Sequence, residues 1–488
     1  MATAARNPAG PGSFRELARI SVPLILSSGS LSLQMVIDRI FLTWSSTEAL
    51  AASMPAGMLH WTCISMAFGT ATYVNTFVAQ YHGAGKPDRI AASIWQGIYF
   101  CLLASIFMLA LIPFSYTIFE SIGHDTSLRQ LEADYFSILN AGALLPLLAT
   151  TLSAFFTGRG QTMVILWANL ASTAVNAVFD YLLIFGLGPI PAMGIQGAAI
   201  ATVMSSAAPV AVYAYLMTRE EMRPFGLTAH WRFDRDLFGR LIKFGVPSGF
   251  HMFMDVICFS LFILLVGRLG KEEMAATSLA FNLNTLAFVP MFGLGTAVMT
   301  LVGQRIGEEK PNLAVRTTWM AFGISFVYMT AFGAIYLLMP DLILSPYAAH
   351  SEPEQFARLK ETVVDLLKFV ALYGIFDAMV IIFGASVRGA GDTKFSMIFS
   401  GLCGWFLMVV PTFVALVYFD GGLRTAWAII TLYLIIVGFG YLFRFQGGKW
   451  KSMRVIESEP AVIELDARVV DLPEEVEPLL VQEEARSS

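Results

Sequence analysis

The chain has 488 residues, of which 56% are hydrophobic and only 14% are charged. Soluble domains carry about 25% charged residues, so this composition excludes an ordinary soluble enzyme. The net charge of −5 is unevenly distributed, because residues 455–488 hold ten acidic and two basic side chains and the rest of the chain is mildly basic.

Twelve apolar runs follow one another along the chain. Each is long enough for the helix of about 20 residues that a bilayer core of about 30 Å requires. The sequence therefore predicts an all-α polytopic membrane protein with twelve transmembrane helices. The predicted helices cover residues 20–44, 54–80, 92–115, 134–156, 163–185, 195–217, 241–267, 275–303, 316–339, 363–386, 395–419 and 424–444.

The basic residues between these runs predict the orientation. Apart from Arg39, residues 1–454 carry three times as many Lys and Arg on the side of the N-terminus as on the other side. The positive-inside rule then places both termini in the cytoplasm. We expect a cytoplasmic tail over 1–16, a basic cytoplasmic linker over 219–239 and an acidic cytoplasmic tail over 445–488. Pro breaks and the lack of apolar periodicity predict that the acidic tail is disordered.

The four cysteines all lie within apolar runs at unrelated spacings. This pattern predicts neither a disulfide framework nor a zinc site. The first twenty residues lack the charged start, short apolar core and cleavage pattern of a secretory signal, so we expect helix 1 to remain in the mature protein.

The two halves of the chain repeat each other. A shift of 224 residues aligns, without a gap, Gln80, Gly83, Lys86, Pro87 and Trp95 with Gln304, Gly307, Lys310, Pro311 and Trp319. A shift of 231 residues aligns FTGRGQT at 156–162 with VRGAGDT at 387–393. Apolar composition does not produce Gly, Lys, Pro and Trp in register. The chain is thus predicted to form two pseudo-symmetric six-helix lobes around a central cavity, the N-lobe over 17–218 and the C-lobe over 240–444.

Four carboxylates fall inside the predicted helices. Each costs roughly 2.5 to 3.5 kcal/mol near the centre of a membrane helix. Such groups usually face a cavity and bind something; the alternative is a structural pair with a base or with backbone groups, and it stays open. The four are Asp38, Asp180, Asp255 and Asp377.

Polar residues of the N-lobe lie at a similar predicted depth. Asp38, Asp180 and Thr202 lie near the outer ends of helices 1, 5 and 6, roughly 8 to 11 Å below the external face at a rise of 1.5 Å per residue. Asn176 shares a helix face with Asp180, four residues later. These oxygen ligands suit Na⁺ or a proton held on a carboxylate, and the sequence does not choose between the two. Two nearby carboxylates in a low dielectric disfavour a second ionisation, so a proton can be carried near neutral pH.

The two intramembrane acids of the C-lobe do not align with acidic residues of the N-lobe. Asp255 aligns with Leu31 at the first shift, and Asp377 aligns with Pro146 at the second. The lobes are therefore expected to differ in chemistry. His251 lies one turn before Asp255 on the same helix face and is a candidate to donate to it or to relay protons. A hydrogen bond from His251 to the backbone alone is the open alternative.

Several segments of the sequence form a recognisable pattern. They are VP in helix 1 followed by VIDRIFLTW and ALAA, then FGTATYVNTFVAQYHGAGK, TGRGQT, NAVFDYLLIFG and GIQGAAIAT, with VGQRIGEEK and VRGAGDTK in the second half. This pattern resembles the multidrug and toxic compound extrusion (MATE) family over about residues 15–444. The resemblance implies a cation-coupled antiporter that exports organic, often cationic, compounds. It also implies a plasma membrane location, the inner membrane in a bacterium, and no cofactor beyond the coupling ion, H⁺ or Na⁺. We expect a monomer that contacts membrane lipid, binds small organic cations and binds no nucleic acid.

The resemblance also implies roles for individual residues. In the family, the matching positions of the amino-terminal half form a cation site: Asp38, Asn176, Asp180 and Thr202. Three of them, Asp38, Asn176 and Asp180, become the Na⁺ ligands if the coupling ion is sodium. Asp255 and Asp377 match intramembrane acids of helices 7 and 10 in the branch related to NorM-type exporters. The helix 7 acid of that branch is usually Glu, so Asp255 is a shorter variant, and His251 is expected to act with it.

Two rival functions fit the sequence less well. A lipid-linked or other metabolite flippase of the same superfamily is expected to carry several cationic cavity residues. Four acids and one base, Arg39, lie within the helices here, a balance that favours a cationic substrate. A membrane enzyme or an ATP-driven pump is disfavoured because the sequence contains no DDxxD, HExxH, GxSxG or GxxxxGK[ST]. We therefore expect a secondary multidrug exporter that works by H⁺ or Na⁺ antiport and alternating access.

Overall fold

The computed structural model describes residues 10–123, 126–186, 189, 191–348 and 353–457, and contains helices but no strand over them. Twelve long helices follow one another in the order predicted from the sequence. They are α1 Phe14–Ser45, α2 Thr47–Gly83, α3 Pro87–Ile122, α4 Leu128–Thr157, α5 Thr162–Phe185, α6 Gly194–Met217, α7 Arg235–Gly267, α8 Lys271–Gly307, α9 Pro311–Leu338, α10 Pro353–Ala390, α11 Thr393–Val417 and α12 Leu423–Gln446.

The α2 helix differs from the others in composition. Eleven helices contain a stretch that is long and apolar enough to cross a membrane. The twelfth, α2, has 37 residues and is less apolar because polar side chains occupy its second half. Thr70, Asn75, Thr76 and Gln80 are all buried between helices and so do not meet lipid. Burial against protein explains how a helix with these residues belongs to the bundle.

Local breaks interrupt three of the helices. α3 tightens into a 3₁₀ turn at Ile112–Phe114, where Pro113 removes a backbone donor. α4 is broken between Ala141 and Leu144. α11 widens into a π-helical turn at Gly404–Val409, directly before a proline in the next turn.

The ends of several elements differ from those predicted. α1 already begins at Phe14, because the Ser13 hydroxyl accepts the Glu16 N–H and the Glu16 carboxylate accepts the Gly12 N–H at 2.7 Å. The predicted tail over 1–16 is therefore too long, and residues 1–9 lie outside the described residues. α7 begins at Arg235, so the linker is shorter than 219–239. A short helix at Pro340–Ala348, which the sequence analysis missed, precedes α10.

The lobes meet along α1, α2, α7 and α8. Glycine allows the close approach: a Cβ on Gly69 of α2 would lie 2.8 Å from the Cα of Gly249 in α7. The Asn75 amide of α2 donates to the Thr300 hydroxyl of α8 at 2.9 Å, and both side chains are buried. These residues lie in the second halves of α2 and α8 and the first half of α7. The contacts between lobes therefore gather at the end of the bundle where α1 begins.

Mirrored hydrogen bonds join the lobes at this end. The Gln80 side-chain N–H donates to the carbonyl oxygen of Gly389 at 3.1 Å. Its repeat mate, Gln304, donates to the carbonyl oxygen of Gly158 at 2.8 Å. Gly158 and Gly389 are aligned with each other by the second shift. The residues that repeat in the sequence thus form two equivalent hydrogen bonds. One runs from the N-lobe to the C-lobe, and the other runs from the C-lobe to the N-lobe.

Glycines beside these glutamines let α2 and α8 touch. A Cβ on Gly83 would overlap the carbonyl oxygen of Gln304, and a Cβ on Gly307 would overlap the carbonyl oxygen of Gln80. No other residue fits at either position without moving a helix. We call the four residues Gln80, Gly83, Gln304 and Gly307 the closed seam.

The chain that follows α12 covers the closed seam. Trp450 is fully buried. The backbone N–H of Val455 donates to the side-chain oxygen of Gln80, Oε1, at 2.9 Å. Arg454 forms an ion pair with Glu309 at 2.8 Å. The acidic tail predicted over 445–488 therefore starts too early, because burial of Trp450 and Val455 holds this stretch in the folded unit, which ends at Val455. Residues 458–488 lie outside the described residues.

Candidate functional site

The first candidate site lies between α1 and α5 in the N-lobe. Asn176 and Asp180 occupy successive turns of α5 and are fully buried. The Asp38 side chain of α1 interacts with both of them. Hydrogen bonds closer to the closed seam fix the two helices: the Thr173 hydroxyl donates to the Ser30 carbonyl oxygen at 3.1 Å. The structure thus brings together three of the four predicted N-lobe residues.

These three side chains leave many polar atoms without a partner. Both oxygens of Asp180, both polar atoms of the Asn176 amide and one oxygen of Asp38 are buried and lack a hydrogen bond in the described structure. Buried polar groups are nearly always paired, and an unpaired one costs about 1 to 3 kcal/mol. A cation or added protons would satisfy the carboxylate oxygens. The donor set of carboxylate and amide oxygens fits Na⁺ as well as H⁺.

Thr202, the fourth predicted residue, has a different partner. Its hydroxyl donates to the Ala198 carbonyl oxygen of its own helix at 3.0 Å, and no hydrogen bond joins it to the acids in the described chain. The nearest polar link between α1 and α6 comes instead from Gln34, whose amide donates to the Ser205 hydroxyl at 3.2 Å. A role for Thr202 in the cation site stays a prediction.

Tyr135 of α4 also belongs to this site. It interacts electrostatically with Asp38, Asp180 and Arg39. The sequence analysis missed it, because nothing in the sequence separates one tyrosine from the other fourteen.

The second candidate site lies on α7 in the C-lobe. The Nδ1 atom of His251 lies 3.2 Å from the Oδ2 atom of Asp255, one turn later on the helix. The Asp255 side chain is 46% exposed, whereas that of His251 is 12% exposed. The carboxylate is therefore accessible while its histidine partner is held within the lobe. The open alternative, a histidine bonded only to backbone, does not describe this geometry.

Two hydroxyls from other helices meet the opposite side of the imidazole. The His251 Nε2 atom lies 3.1 Å from the Ser400 hydroxyl of α11 and 3.1 Å from the Tyr441 hydroxyl of α12. These two hydroxyls lie 2.9 Å from each other. The sequence analysis missed Ser400 and Tyr441, because their approach to His251 depends on how three helices pack.

Asp377 lies apart from this cluster. It is 7% exposed on α10. In the part of the chain that the structure describes, no hydrogen bond or ion pair joins it to Asp255 or to His251. Asp255 and Asp377 thus have separate surroundings in the C-lobe. A joint role for Asp255 and Asp377 stays a prediction.

Neither candidate site has enough carboxylates for a typical multivalent metal centre. Among the described residues, no group of three or more His, Cys, Asp or Glu side chains is arranged to hold a metal ion. The N-lobe offers two carboxylates and one amide, and the C-lobe cluster offers one carboxylate and one imidazole. Neither set resembles a zinc or calcium centre, which would use more ligands. A monovalent cation or a proton fits the N-lobe set better, and a proton fits the carboxylate and imidazole of the C-lobe set.

Family comparison settles the class of the protein. The MatE family model matches residues 23–182 and 247–414, which is more than half of the chain and includes parts of both lobes. The chain belongs to the MatE family. The MatE match includes Asp38, Asn176 and Asp180 of the first site, and His251 and Asp255 of the second. As a member, the protein is a polytopic membrane transporter.

Relatives of this MatE protein align over most of their length. The chain is 27% identical over 415 residues to the "Probable multidrug resistance protein NorM" of Burkholderia pseudomallei, covering 84% of this chain and 88% of the relative. It is 23% identical over 460 residues to a protein of the same name from Thermotoga maritima, covering 91% and 95%. The similarity therefore extends across both lobes.

Solved structures share the fold of this MatE protein. The outward-facing conformation of a multidrug resistance MATE family transporter of the MOP superfamily matches with a TM-score of 0.79 at 19% identity, covering 89% of this chain and 96% of that one. The eukaryotic MATE transporter AtDTX14 matches with a TM-score of 0.79 at 21% identity, covering 90% and 96%. These likenesses confirm the predicted fold of twelve helices in two lobes.

Proposed function

We propose that this protein is a secondary multidrug exporter that expels organic, mainly cationic, compounds in exchange for H⁺ or Na⁺. The observation that carries the proposal is the meeting of Asp38 with the fully buried Asp180 and Asn176 in the N-lobe, where both Asp180 oxygens lack a hydrogen bond among the described residues. A membrane protein tolerates such groups where they bind an ion. Multidrug resistance in the names of the relatives supports the same conclusion.

Charge supports a cationic substrate. Asp38, Asp180, Asp255 and Asp377 give the two lobes four acids within the spanning helices, and the base that acts on the His251–Asp255 pair is Arg388 of α10. Two of the acids, Asp180 and Asp377, are buried, and Asp255 is half exposed on the C-lobe side. Such a balance favours organic cations over anionic lipid-linked sugars. We assign Asp38, Asn176 and Asp180 to ion coupling, and His251, Asp255 and Asp377 to coupling or substrate binding.

Alternating access fits the contacts between the lobes. At the closed seam the lobes are joined by side-chain hydrogen bonds such as those of Gln80 and Gln304. A hydrogen bond of this kind contributes about 1 kcal/mol, so a modest difference in free energy can open or close this end of the bundle. An ion that binds one state better than the other shifts the population between states by that difference in affinity.

In the proposed orientation, the two ends of the bundle face opposite sides of the membrane. We infer that both termini face the cytoplasm, so the closed seam lies on the cytoplasmic side and the acid sites lie nearer the external side. The proposed location is the bacterial inner membrane, where the protein acts as a monomer surrounded by lipid. It needs no cofactor beyond its coupling ion.

The test is uptake of a fluorescent organic cation into proteoliposomes under an imposed H⁺ gradient or an imposed Na⁺ gradient. We expect one of these gradients to drive uptake, and its identity names the coupling ion. Empty liposomes under the same gradients serve as the control. Equal uptake with and without either gradient, across several organic cations, would contradict antiport and shift support to a flippase of lipid-linked or neutral substrates.

A further inference from the structure

We propose that Ser400 and Tyr441 are positioning residues that allow the Asp255–His251 pair to hold one exchangeable proton, so that the C-lobe site takes H⁺ and not Na⁺. The inference rests on the proposed antiport and deepens it by naming the ion of one lobe. It concerns α7, α11 and α12, which meet at the His251 imidazole.

Each nitrogen of the imidazole has its own kind of partner. Nδ1 faces a carboxylate oxygen of Asp255 at 3.2 Å, and Nε2 faces the hydroxyls of Ser400 and Tyr441 at 3.1 Å each. When the imidazole is neutral, Nδ1–H donates to the carboxylate and Nε2 accepts a hydroxyl proton. When the imidazole is charged, both nitrogens donate, and Nε2–H needs an acceptor. The partner of Nε2 must therefore change from donor to acceptor when the proton arrives.

Hydroxyl groups are the side chains that make this change without moving. A hydroxyl is both a donor and an acceptor, and its hydrogen rotates about the C–O bond. Ser400 and Tyr441 lie 2.9 Å apart, so one hydroxyl can donate to the other whenever it no longer donates to Nε2. Only hydrogens turn between the two states. A backbone N–H or a carbonyl in the same place would serve one protonation state alone.

Packing holds the two hydroxyls in place. Tyr441 is fully buried, and its ring meets those of Phe395 and Phe399 edge-on at centroid distances of 6.0 and 5.7 Å. Ser400 is 3% exposed. A Cβ on Gly440 would overlap the Phe399 ring, so α11 and α12 are in close contact beside the site. The packing of α11 against α12 therefore fixes the two hydroxyls beside the Nε2 atom.

The neighbouring charges keep the proton exchangeable. Arg388 of α10 acts electrostatically on both His251 and Asp255. The other titratable groups that face the pair are Cys258 of α7 and Tyr433 of α12, which interact with Asp255. The positive charge of Arg388 opposes a permanent charge on the imidazole, and the Asp255 carboxylate favours it. A proton held under the opposing effects of the Arg388 charge and the Asp255 carboxylate can be released again.

Sodium does not fit this arrangement. Na⁺ requires several oxygen ligands, as other hard cations do. One oxygen of the only carboxylate already faces an imidazole nitrogen, and Ser400 and Tyr441 lie on the far side of that ring. The N-lobe site, in contrast, has oxygen donors from Asp38, Asn176 and Asp180 with free positions.

The test uses the full chain with Tyr441→Phe and Ser400→Ala combined. Tyr336→Phe with Ser325→Ala is the matched control, because these buried hydroxyls donate to backbone carbonyls outside the site, at 3.0 and 2.9 Å. The first readout is the ¹⁵N NMR signal of the His251 imidazole against pH in detergent, assigned by its loss in His251→Gln. The second is the ratio of proton-driven uptake to gradient-free substrate exchange in proteoliposomes.

We expect the double variant to shift the titration of His251 by about one pH unit or more and to lower the uptake ratio about ten-fold, because a hydrogen bond to a charged group is lost. The control pair should change neither. An unchanged His251 titration in the double variant, or a His251 signal that moves when Na⁺ replaces K⁺ at fixed pH, would overturn the inference. A wild type whose His251 titrates as expected but shows no gradient-driven uptake would contradict the proposed antiport while supporting the proton site.

Discussion

The N-lobe and the C-lobe hold their acids in different chemical surroundings. In the N-lobe, Asp180 and Asn176 are fully buried among oxygen and amide groups, and most of their polar atoms lack a partner. In the C-lobe, Asp255 is half exposed and already faces an imidazole, which two hydroxyls support from behind. The first arrangement offers oxygen ligands that suit a cation, and the second offers a carboxylate and an imidazole that suit a proton.

The same two lobes remain alike where they touch. Gln80 and Gln304 make equivalent hydrogen bonds across the closed seam, to Gly389 and Gly158. The acids Asp255 and Asp377 align with Leu31 and Pro146 instead. The repeat thus preserves the packing that closes one end of the bundle. The ion chemistry is specific to each lobe.

The largest expected effect comes from Asp180→Asn, which keeps the shape of the side chain and removes its charge. We expect ion-driven uptake of an organic cation to fall about a hundred-fold or more, because a unit charge 4 Å from a cation contributes roughly 4 kcal/mol at an effective dielectric of 20. Asp341→Asn is the control, since Asp341 is 76% exposed and pairs with Lys360 away from both sites. Uptake by Asp180→Asn within two-fold of the wild type would remove the N-lobe from the coupling mechanism.

A smaller effect is expected at the glycines of the closed seam. Gly83→Ala and Gly307→Ala should each destabilise the protein by about 1 to 3 kcal/mol, since each new methyl group overlaps a carbonyl oxygen of the other lobe. Thermal unfolding in detergent measures the change. Gly323→Ala on α9, where a Cβ meets nothing within 4 Å, is the control and should be neutral or slightly stabilising. A loss of stability in only one of the two seam variants would show that the contact is not symmetric.

The smallest effect is expected for Thr202→Val. The Thr202 hydroxyl donates to its own helix, so its removal should change ion-driven uptake less than about two-fold and leave the ion concentration for half-maximal uptake unchanged. Ser206→Ala, one turn later, whose hydroxyl also bonds within α6, is the matched control. A large rise in the required ion concentration for Thr202→Val alone would place its hydroxyl in the cation site during the transport cycle.

Much of the fold could be predicted from the sequence because membrane helices are encoded locally. Apolar runs set the twelve helices, and residues at fixed spacing set the repeat that the closed seam displays. Helix periodicity alone places His251 beside Asp255 and Asn176 beside Asp180, since four residues make one turn. These pairs can be predicted without knowing how the helices pack.

The rest of the site depends on contacts between distant segments. Ser400 and Tyr441 lie 149 and 190 residues from His251 in sequence, and no local pattern connects them. Tyr135 carries no charge that would mark it within α4. The predicted start of the tail is too early because the sequence alone does not show that Trp450 is fully buried.

The most direct test of coupling through buried acids is to measure ion flux and substrate flux together in proteoliposomes. A pH-sensitive dye or a Na⁺-sensitive dye reports the ion, and a fluorescent organic cation reports the substrate, for the wild type, Asp180→Asn and Asp255→Asn. We predict that substrate added to the wild type drives ion movement in the opposite direction, and that Asp180→Asn abolishes this exchange while Asp255→Asn reduces its proton component. Substrate movement at the wild-type rate in both variants, with no accompanying ion flux, would contradict the account.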